Sequence, residues 1–320
     1  MYVSRIRIDQ HRYFHGGRAV DLELTRPDGS HSGWTVLAGP NGSGKTSLLQ
    51  ALGGLGAARL DDEHGRPLRP GDHFCAVLPA APAAPARLPE GALALLDDGL
   101  LPEGYRIAGH GPDGLRVELG GAVLPLEALG GGARALVALV AELLRQAHCW
   151  EPEEELVVPG GPPTAPIAGL ALIDDAEAHL HPAWQQRLGE WLVGHFPNLQ
   201  FVVATHSPYV CQAADPGGLI HLPGPGEPPS PPRVLDEDEQ QRVVYGSGDD
   251  AAVSALFGLP SAYSPQAEAE RELLVALERK LYAGQATAAE IAEYQELGAK
   301  LNSSLAARAQ ELRGRIGGGS

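Results

Sequence analysis

This sequence is short of positive charge. Lys and Arg number 24 against 40 Asp and Glu, a net charge of −16 at neutral pH. Duplex nucleic acid is held mainly by neutralising its phosphates. No cluster of Lys or Arg announces a basic groove, so direct nucleic-acid binding is expected to be weak. Cysteine is scarce. Cys75, Cys149 and Cys211 stand far apart, which excludes a disulfide framework and a cysteine-based metal site and fits a reducing compartment. No apolar run approaches the roughly 18 residues that suggest a membrane helix. Met1 to Gln10 reads as a charged, alternating strand rather than a secretion signal. A cytoplasmic protein is therefore expected, with no membrane contact.

Hydrophobic residues make up 43% of 320, enough for one large α/β domain or two small ones. The most informative stretch is Gly39-Pro40-Asn41-Gly42-Ser43-Gly44-Lys45-Thr46, a complete G-x-x-x-x-G-K-T phosphate-binding loop. A strand-like run, Trp34 to Ala38, precedes it and a helix-like run, Lys45 to Leu52, follows it. That context turns the pattern into a physical site. The glycines let backbone N–H groups turn inward around a phosphate chain. Lys45 reaches the β- and γ-phosphates, and the Thr46 hydroxyl is placed for Mg²⁺. Asn41, Gly42, Ser43, Gly44 and Ser47 complete the expected nucleotide contacts.

A phosphate loop needs a second acidic residue near the metal. Leu170-Ala171-Leu172-Ile173-Asp174 is a nearly all-apolar strand ending in carboxylates, suited to the middle of a parallel sheet. Asp174 is the expected Mg²⁺ ligand beside Thr46, because Mg²⁺ prefers carboxylate and hydroxyl oxygens. Asp175 follows and is placed to polarise an attacking water; a pair of helix-capping aspartates is the competing reading. Leu199 to Ala204 is another buried strand, ended by Thr205-His206-Ser207-Pro208. From there the His206 imidazole can donate to a γ-phosphate; the alternative is a histidine fixed in its turn by Ser207 and Pro208. His179 and His181 invite a zinc reading with His206. They lie two apart, off any shared helix face, and lack a third ligand, so that reading is set aside.

Residues 2–9 alternate, with Val3, Arg5, Arg7 and Asp9 on one side and Tyr2, Ser4, Ile6 and Ile8 on the other, a half-buried strand. Residues 19–25 form a second, and Pro27 to Ser30 a turn. Three strands before the loop imply a small mixed or antiparallel sheet beside the main one. Within 53–125, Phe74 to Leu78, Tyr105 to Ile107, Leu115 to Leu119 and Ala122 to Leu124 read as short strands, and Pro79 to Pro89 as a loop. Ala133 to His148 is an amphipathic helix with Leu136, Leu139, Val140, Leu143 and Leu144 as its stripe. Glu151 to Glu155 reads as a solvated acidic run and Pro159 to Pro166 as a rigid loop. Pro182 to Val193 reads as a helix with Pro182 in its first turn, Leu219 to Leu222 as a strand, 223–232 as a Pro/Gly loop, and Val243 to Gly248 as a strand and turn. Helices are expected over 267–283, 287–298 and 301–315. The expected division is a nucleotide-binding domain over 1–235 with 53–125 as a short insertion, a helical region over 236–316, and a flexible tail at 317–320.

Residues 1–55, 125–150 and 168–222 resemble the ATP-binding-cassette ATPases of the chromosome-maintenance, RecF and overcoming-lysogenization-defect lineage. The loop ending in Lys45-Thr46 matches their Walker A loop. Leu172-Ile173-Asp174-Asp175-Ala176-Glu177-Ala178-His179-Leu180-His181-Pro182 is similar to their Walker B and D-loop block, and Ala204-Thr205-His206-Ser207-Pro208 to their switch-histidine loop. The layout is similar to the PtuA-type ATPases of Septu antiphage defence and to retron-associated ATPases. The resemblance implies an α/β P-loop fold of ATP-binding-cassette type, with a mostly parallel core, a small antiparallel N-terminal sheet, a short central insertion and a C-terminal helical region. It also implies ATP and Mg²⁺ as ligands, and a homodimer or higher oligomer in which ATP on one Walker A loop is covered by the partner's signature loop. That loop is here Leu129-Gly130-Gly131-Gly132-Ala133-Arg134, with Gly130, Gly131 and Gly132 as nucleotide contacts and the next helix aiming its N-terminus at the partner's phosphate. A basic residue after the first strand, Arg12, touches phosphates in the resembling families; a solvated arginine is the competing reading.

Several positions depart from the family pattern. Gly130 replaces a serine, and Ala133 an acidic residue or glutamine. Asp175 replaces a catalytic glutamate and is one methylene shorter, a misplacement that can cost about 10²-fold in rate. No glutamine lies between Gln50 and Gln146 to serve the Q-loop, leaving Asp72 or His73 as stand-ins. The expected activity is slow hydrolysis of ATP to ADP and phosphate, with Asp175 and His206 as catalytic residues. Asp249 and Asp250 read as a turn rather than a second metal site, so no built-in nuclease is expected. The expected function is a regulatory ATPase gating a separate effector, such as an HNH nuclease, in antiphage defence. A DNA-repair or chromosome ATPase that clamps DNA, and a structural module that never hydrolyses its nucleotide, are the alternatives. The missing glutamine and the helical tail argue against a transporter subunit.

Overall fold

A strand that is apolar on both faces must lie in the middle of a layered structure. Three runs meet that condition: β3 (Gly33–Ala38), β10 (Gly169–Ile173) and β11 (Leu199–Thr205), every residue of which is buried. The computed structural model describes the chain apart from residues 12, 55–57, 70, 80–87, 89–90, 113, 151–161, 253, 255, 260 and 302–320. In it these strands join β6 (Cys75–Leu78), β12 (Leu219–His221) and β13 (Arg233–Val234) in one sheet of order β13-β12-β3-β11-β10-β6. Every pairing is parallel except β12 with β13. The mostly parallel α/β core expected from the sequence is what the chain forms.

Side chains alternate along these strands and divide the core in two. Trp34, Val36, Ala171, Ile173, Phe201 and Val203 belong to one apolar cluster, completed by α2 (Ala92–Asp97), α3 (Gly131–Trp150) and α4 (Pro182–His195). Leu37, Leu170, Leu172, Val202 and Ala204 belong to the other, completed by α1 (Lys45–Leu52) and an antiparallel sheet. That sheet has the order β2-β1-β4-β5, from β1 (Val3–Ile8), β2 (Val20–Glu23), β4 (Arg59–Asp62) and β5 (Pro67–Leu68). A further antiparallel meander comprises β7 (Tyr105–Gly111), β8 (Gly114–Leu119) and β9 (Ala122–Pro125).

Several expectations need correction. Val3 is buried with Ile6 and Ile8, although strict alternation puts it on the other side. The register against β4 shifts between Val3 and Arg5, and such a bulge reverses the facing of the residue beyond it. Only β1 and β2 precede the loop in the antiparallel sheet; β3 is central to the main one. The stretch 53–125 supplies β4 and β5 to the first sheet and β6 to the second. Val243 to Gly248 is not a strand. Asp236 caps a helix, α6 (Glu237–Val244), in a reciprocal capping box with Glu239, and α7 (Gly248–Ala252) follows.

By its contacts the chain divides into Met1–Leu259 and Pro260–Ser320. The division falls beyond 235/236 because α6 and α7 pack against α5 (Pro208–Cys211). The second unit holds α8 (Pro265–Tyr282), capped by Ser264, and a helix over 288–301. Lys280–Glu290 and Lys300–Glu270 ion pairs, at 2.6 and 2.5 Å, join these two helices. The Ala/Pro run over 80–87, the acidic run 151–155, residues 302–315 of the last expected helix and the tail at 317–320 lie outside the described residues. Among the described residues no helix is long and apolar enough to cross a membrane.

Glutamine side chains stand in for backbone at three seams. Gln200, fully buried, accepts from the Val3 N–H at 3.0 Å and donates to the Val3 carbonyl at 2.8 Å, tying β1 to β11. Gln146 of α3 grips Val77 of β6 in the same way, with both bonds at 3.2 Å. Gln240 of α6 takes the Gly217 N–H at 3.0 Å and gives to the Asp215 carbonyl at 2.6 Å. Gln200→Leu strands buried backbone groups and is expected to cost about 1–3 kcal/mol in urea denaturation. Gln146→Leu, where Val77 is 42% exposed and water can substitute, should cost under about 1 kcal/mol. Equal costs at the two positions would contradict this account.

Candidate nucleotide-binding site

The chain leaves β3 at Ala38 and enters α1 at Lys45, so residues 39–44 must turn tightly. Gly44 is the residue before α1 at φ +96°, and Gly42 lies at φ +78°. A Cβ on Gly44 would sit 2.9 Å from the Phe14 ring, and one on Gly39 would run into the Leu222 carbonyl. The turn is wedged between the Tyr13–Phe14 segment and residues 222–225. Arg18 joins those flanks: it donates to the Pro223 and Gly224 carbonyls at 2.8 and 2.7 Å and lies 4.9 Å over the Tyr13 ring. Lys45 is buried, and its Nζ donates to the Gly39 and Pro40 carbonyls at 2.7 and 3.1 Å. Burial pushes its pKa down, while Asp175, Glu177 and Asp174 oppose that shift. Ser43 is buried beneath the turn, Asn41 and Thr46 are exposed, and Ser47 is half-buried.

Strand register delivers the acids to the same place. Thr205 of β11 lies opposite Ala38 of β3, and Ile173 of β10 lies opposite Val203 of β11. Gly39, His206 and Asp174 therefore leave the same end of the sheet. At about 4.8 Å between strands, β10 stands roughly 10 Å from β3. Side chains close the gap: Thr46 Oγ1 donates to Asp174 Oδ1 at 3.1 Å. Burial raises the Asp174 pKa, and the Thr46 hydrogen bond opposes it. A hydroxyl and a carboxylate converging beside a buried amine form an all-oxygen donor set that fits Mg²⁺.

Past Asp174 the backbone is strained. Asp175 and His179 adopt positive φ, +47° and +64°, a region where aspartate is better tolerated than most side chains. The residue that sequence reasoning missed is Glu177. Its Oε1 accepts the His206 N–H at 2.6 Å, and its Oε2 accepts the Thr205 hydroxyl at 2.5 Å. Ser207 Oγ donates to Gln185 at 2.5 Å, and Gln185 donates to the Leu180 carbonyl at 2.8 Å. These bonds fasten the end of β11 to the turn after β10 and leave the His206 side chain exposed. Nothing in the motif distinguishes Glu177 from a solvated glutamate; its role depends on a strand 28 residues away. His181 caps α4, its Nδ1 accepting the Ala183 N–H at 3.2 Å.

Arg12 lies outside the described residues. Gly131 begins α3, and a Cβ on Gly132 would lie 2.9 Å from the His179 carbonyl oxygen, while Gly130 and Gly131 face open space. The glycine run thus packs beside the turn after β10. Asp72 and His73 cannot stand in for a Q-loop glutamine. They precede β6, at the far end of a sheet whose strands run toward the phosphate loop. At about 3.3 Å per residue, His73 is roughly 16 Å back from Leu78. The strand end beside Asp174 carries Leu78 and Pro79 instead.

A phosphate loop joining β3 to α1, an acidic strand two places along, and an intervening strand ending in histidine define a P-loop nucleotide-binding fold of ATP-binding-cassette type. Known proteins resemble the chain over part of its length. Residues 110–212 match the family described as "AAA domain, putative AbiEii toxin, Type IV TA system". The chain is similar to the "Retron Ec83 probable ATPase" of Escherichia coli, 37% identical over 26% of this chain and 14% of that protein. It is similar to the "Retron Vc95 probable ATPase" of Vibrio cholerae serotype O1 biovar El Tor, 39% identical over 25% of this chain and 14% of that protein. The "Septu protein PtuA" of Bacillus thuringiensis is 34% identical over 30% of this chain and 23% of that protein. The matched stretches thus span less than a quarter of each relative. Among solved structures, the SMC head domain from Thermotoga maritima is 18% identical with a TM-score of 0.49, over 74% of this chain and 100% of that one. These relatives bear out the resemblance to retron and Septu ATPases over the stretches they cover.

Because burial raises the Asp174 pKa above its ordinary 3.8, the fold favours the protonated acid. Its contribution to stability is most favourable below that ordinary value and declines as pH rises through the raised one. In chelator-treated buffer, Asp174→Asn should remove the decline and raise the melting temperature at pH 7. The gain should shrink toward pH 3.5. Circular-dichroism melts across that range test the sign, and a lower melting temperature for the variant at pH 7 would refute it.

Proposed function

We propose that the chain binds ATP with Mg²⁺ on the Gly39–Thr46 loop, hydrolyses it slowly, and uses it to join two copies head to tail. On this reading it gates a separate effector in antiphage defence. The observation that carries the proposal is the Thr46–Asp174 hydrogen bond at 3.1 Å beside the Lys45 amine. The names of the retron relatives, both ATPases, support it. In this reading Asn41, Gly42, Ser43, Gly44 and Ser47 line the phosphates, and Lys45 supplies the charge. Thr46 and Asp174 would hold Mg²⁺, which when bound neutralises charge on the phosphate oxygens. Asp175 orients the attacking water. His206, its backbone pinned by Glu177, donates to the γ-phosphate.

The left-handed backbone at Asp175 supports slow turnover, since it suits aspartate better than the longer glutamate and so trades reach for fit. Gly130, Gly131 and Gly132 would meet the partner's nucleotide without a serine hydroxyl. The net charge of −16 supports a division of labour in which a separate protein acts on nucleic acid. The effector class proposed is an HNH nuclease, as expected from the resemblance read in the sequence.

Titration calorimetry should find Mg²⁺-dependent ATP binding that weakens about 10- to 100-fold in Lys45→Ala. Light scattering should show the mass rising toward a dimer only with ATP and Mg²⁺. An unchanged mass with saturating ATP removes the dimer, and no measurable affinity removes the whole reading. Asp175→Glu is expected to raise phosphate release severalfold while lowering stability by about 1 kcal/mol, because glutamate is poorer at positive φ. Turnover equal to or below the parent would count against the assigned role.

A further inference from the structure

Helix α6 turns two faces to different surroundings. Gln240 and Val243 are buried against the body of the protein. Glu237, Gln241 and Val244 follow one another at helical spacing on the neighbouring face. That face walls a groove of about 570 Å³, whose other side is formed by Pro27, Ala214 and Pro216. Gln240 ties the two sides together through the Gly217 N–H and the Asp215 carbonyl, so the groove is held open by the fold itself. It lies where β12 begins. Because β12 runs parallel to β3, this is the end of the main sheet away from the phosphate loop.

The groove is mostly apolar, and Tyr245, at the C-terminal end of α6, lines it with 84% of its surface in water. A large aromatic side chain left in water beside an apolar groove is the kind of anchor that protein contacts cover. Charge at the rim has one sign. Glu237 Oε1 accepts from Gln241 at 3.3 Å. Among the described residues, neither Glu237 nor the exposed Asp238 beside it enters an ion pair. No Lys, Arg or His side chain lines the groove. Neighbouring cations are already engaged. Arg233 is held by Glu239 in a two-pronged pair at 2.5 and 2.7 Å, and Arg26 is buried 3.1 Å from Asp215.

We propose that this groove docks a segment of a separate protein in which a lysine or arginine lies beside apolar side chains. The apolar groups enter between α6 and the 214–217 turn and cover the Tyr245 ring, and the cation meets Glu237 and Asp238. The inference deepens, and rests on, the reading that a partner protein acts for this chain. Charge complementarity selects the segment. An acidic one would face two carboxylates of its own sign, and an uncharged one would leave them without a counter-ion. A protein that handles nucleic acid carries the Lys and Arg that such a segment needs, and this chain, at −16, is short of them.

Anisotropy titration of the full chain, without nucleotide, with a fluorescein-labelled peptide of Leu-Lys-Lys-Leu repeats tests this. Saturable binding at micromolar concentration is expected. It should be about tenfold weaker for the same peptide with Ser in place of Leu, and absent with Glu in place of Lys. Tyr245→Ser, and Glu237→Lys combined with Asp238→Lys, should each weaken it about tenfold. Glu103→Lys combined with Glu118→Lys changes the net charge equally at other exposed positions and should leave binding unchanged. Lys45→Ala should leave it unchanged too, so that loss of ATP binding and loss of docking are read separately. Circular-dichroism melts establish that each variant is folded; if Tyr245→Ser is not, the paired charge reversals decide. No saturation with the Leu–Lys peptide overturns the proposal. So does a signal lost in Lys45→Ala, which would place the peptide at the phosphate loop. Equal binding of the Ser peptide, or equal weakening by both charge reversals, would also overturn it, leaving only general attraction between a basic peptide and an acidic protein.

Discussion

Everything at the candidate site depends on how β11 is seated between β3 and β10. The strand reads Leu199-Gln200-Phe201-Val202-Val203-Ala204-Thr205, apolar on both faces through its middle. A one-residue slip reverses every side chain, yet in such a strand reversal would carry little penalty from polarity. Its register must be set at its ends. Gln200 does so at one end by clasping Val3, and Thr205 at the other by bonding Glu177. With the register fixed, Gly39, His206 and Asp174 emerge side by side. Slip it by one, and the histidine and the acid no longer meet the loop.

The same place is where the fold works against itself. Lys45 is buried among three carboxylates, and burial shifts it and Asp174 toward their neutral forms. Asp175 and His179 occupy backbone conformations that cost energy. Such groups are tolerated when their surroundings over-determine them. Here the surroundings are the Glu177 and Gln185 bonds, the Phe14 ring against Gly44, and Arg18 clamping the flanking segments. Strained backbone and perturbed ionisation together are the usual mark of a site kept for binding or chemistry.

The glycine-rich loop, the acidic strand and the strand-end histidine are legible in the chain because their signals are local. A glycine must stand where φ is positive, a lysine must follow, and an apolar strand must end in an acid. Elements whose existence depends on distant partners are not legible in that way. Strand β4 has one apolar residue, Leu60, and is a strand because β1 and β5 pair with it. Helix α6 is mostly polar; its signal was the Asp236–Glu239 capping box, hidden within an acidic run. Asp72 and His73 looked available for the nucleotide because spacing along the chain carries no information about which end of a strand a residue occupies.

The chain on its own determined that there is a glycine-rich loop of phosphate-binding pattern, an apolar strand ending in an acid and a strand-end histidine, because backbone sterics restrict which residue types suit those positions. Only the folded arrangement decided that Glu177 holds His206, that Gln200 sets a register, and that His73 stands at the opposite end of the sheet. Those relations rest on hydrogen bonds between residues 28 to 197 positions apart and on the direction in which parallel strands run. Neither is written in the order of residues around any one of them.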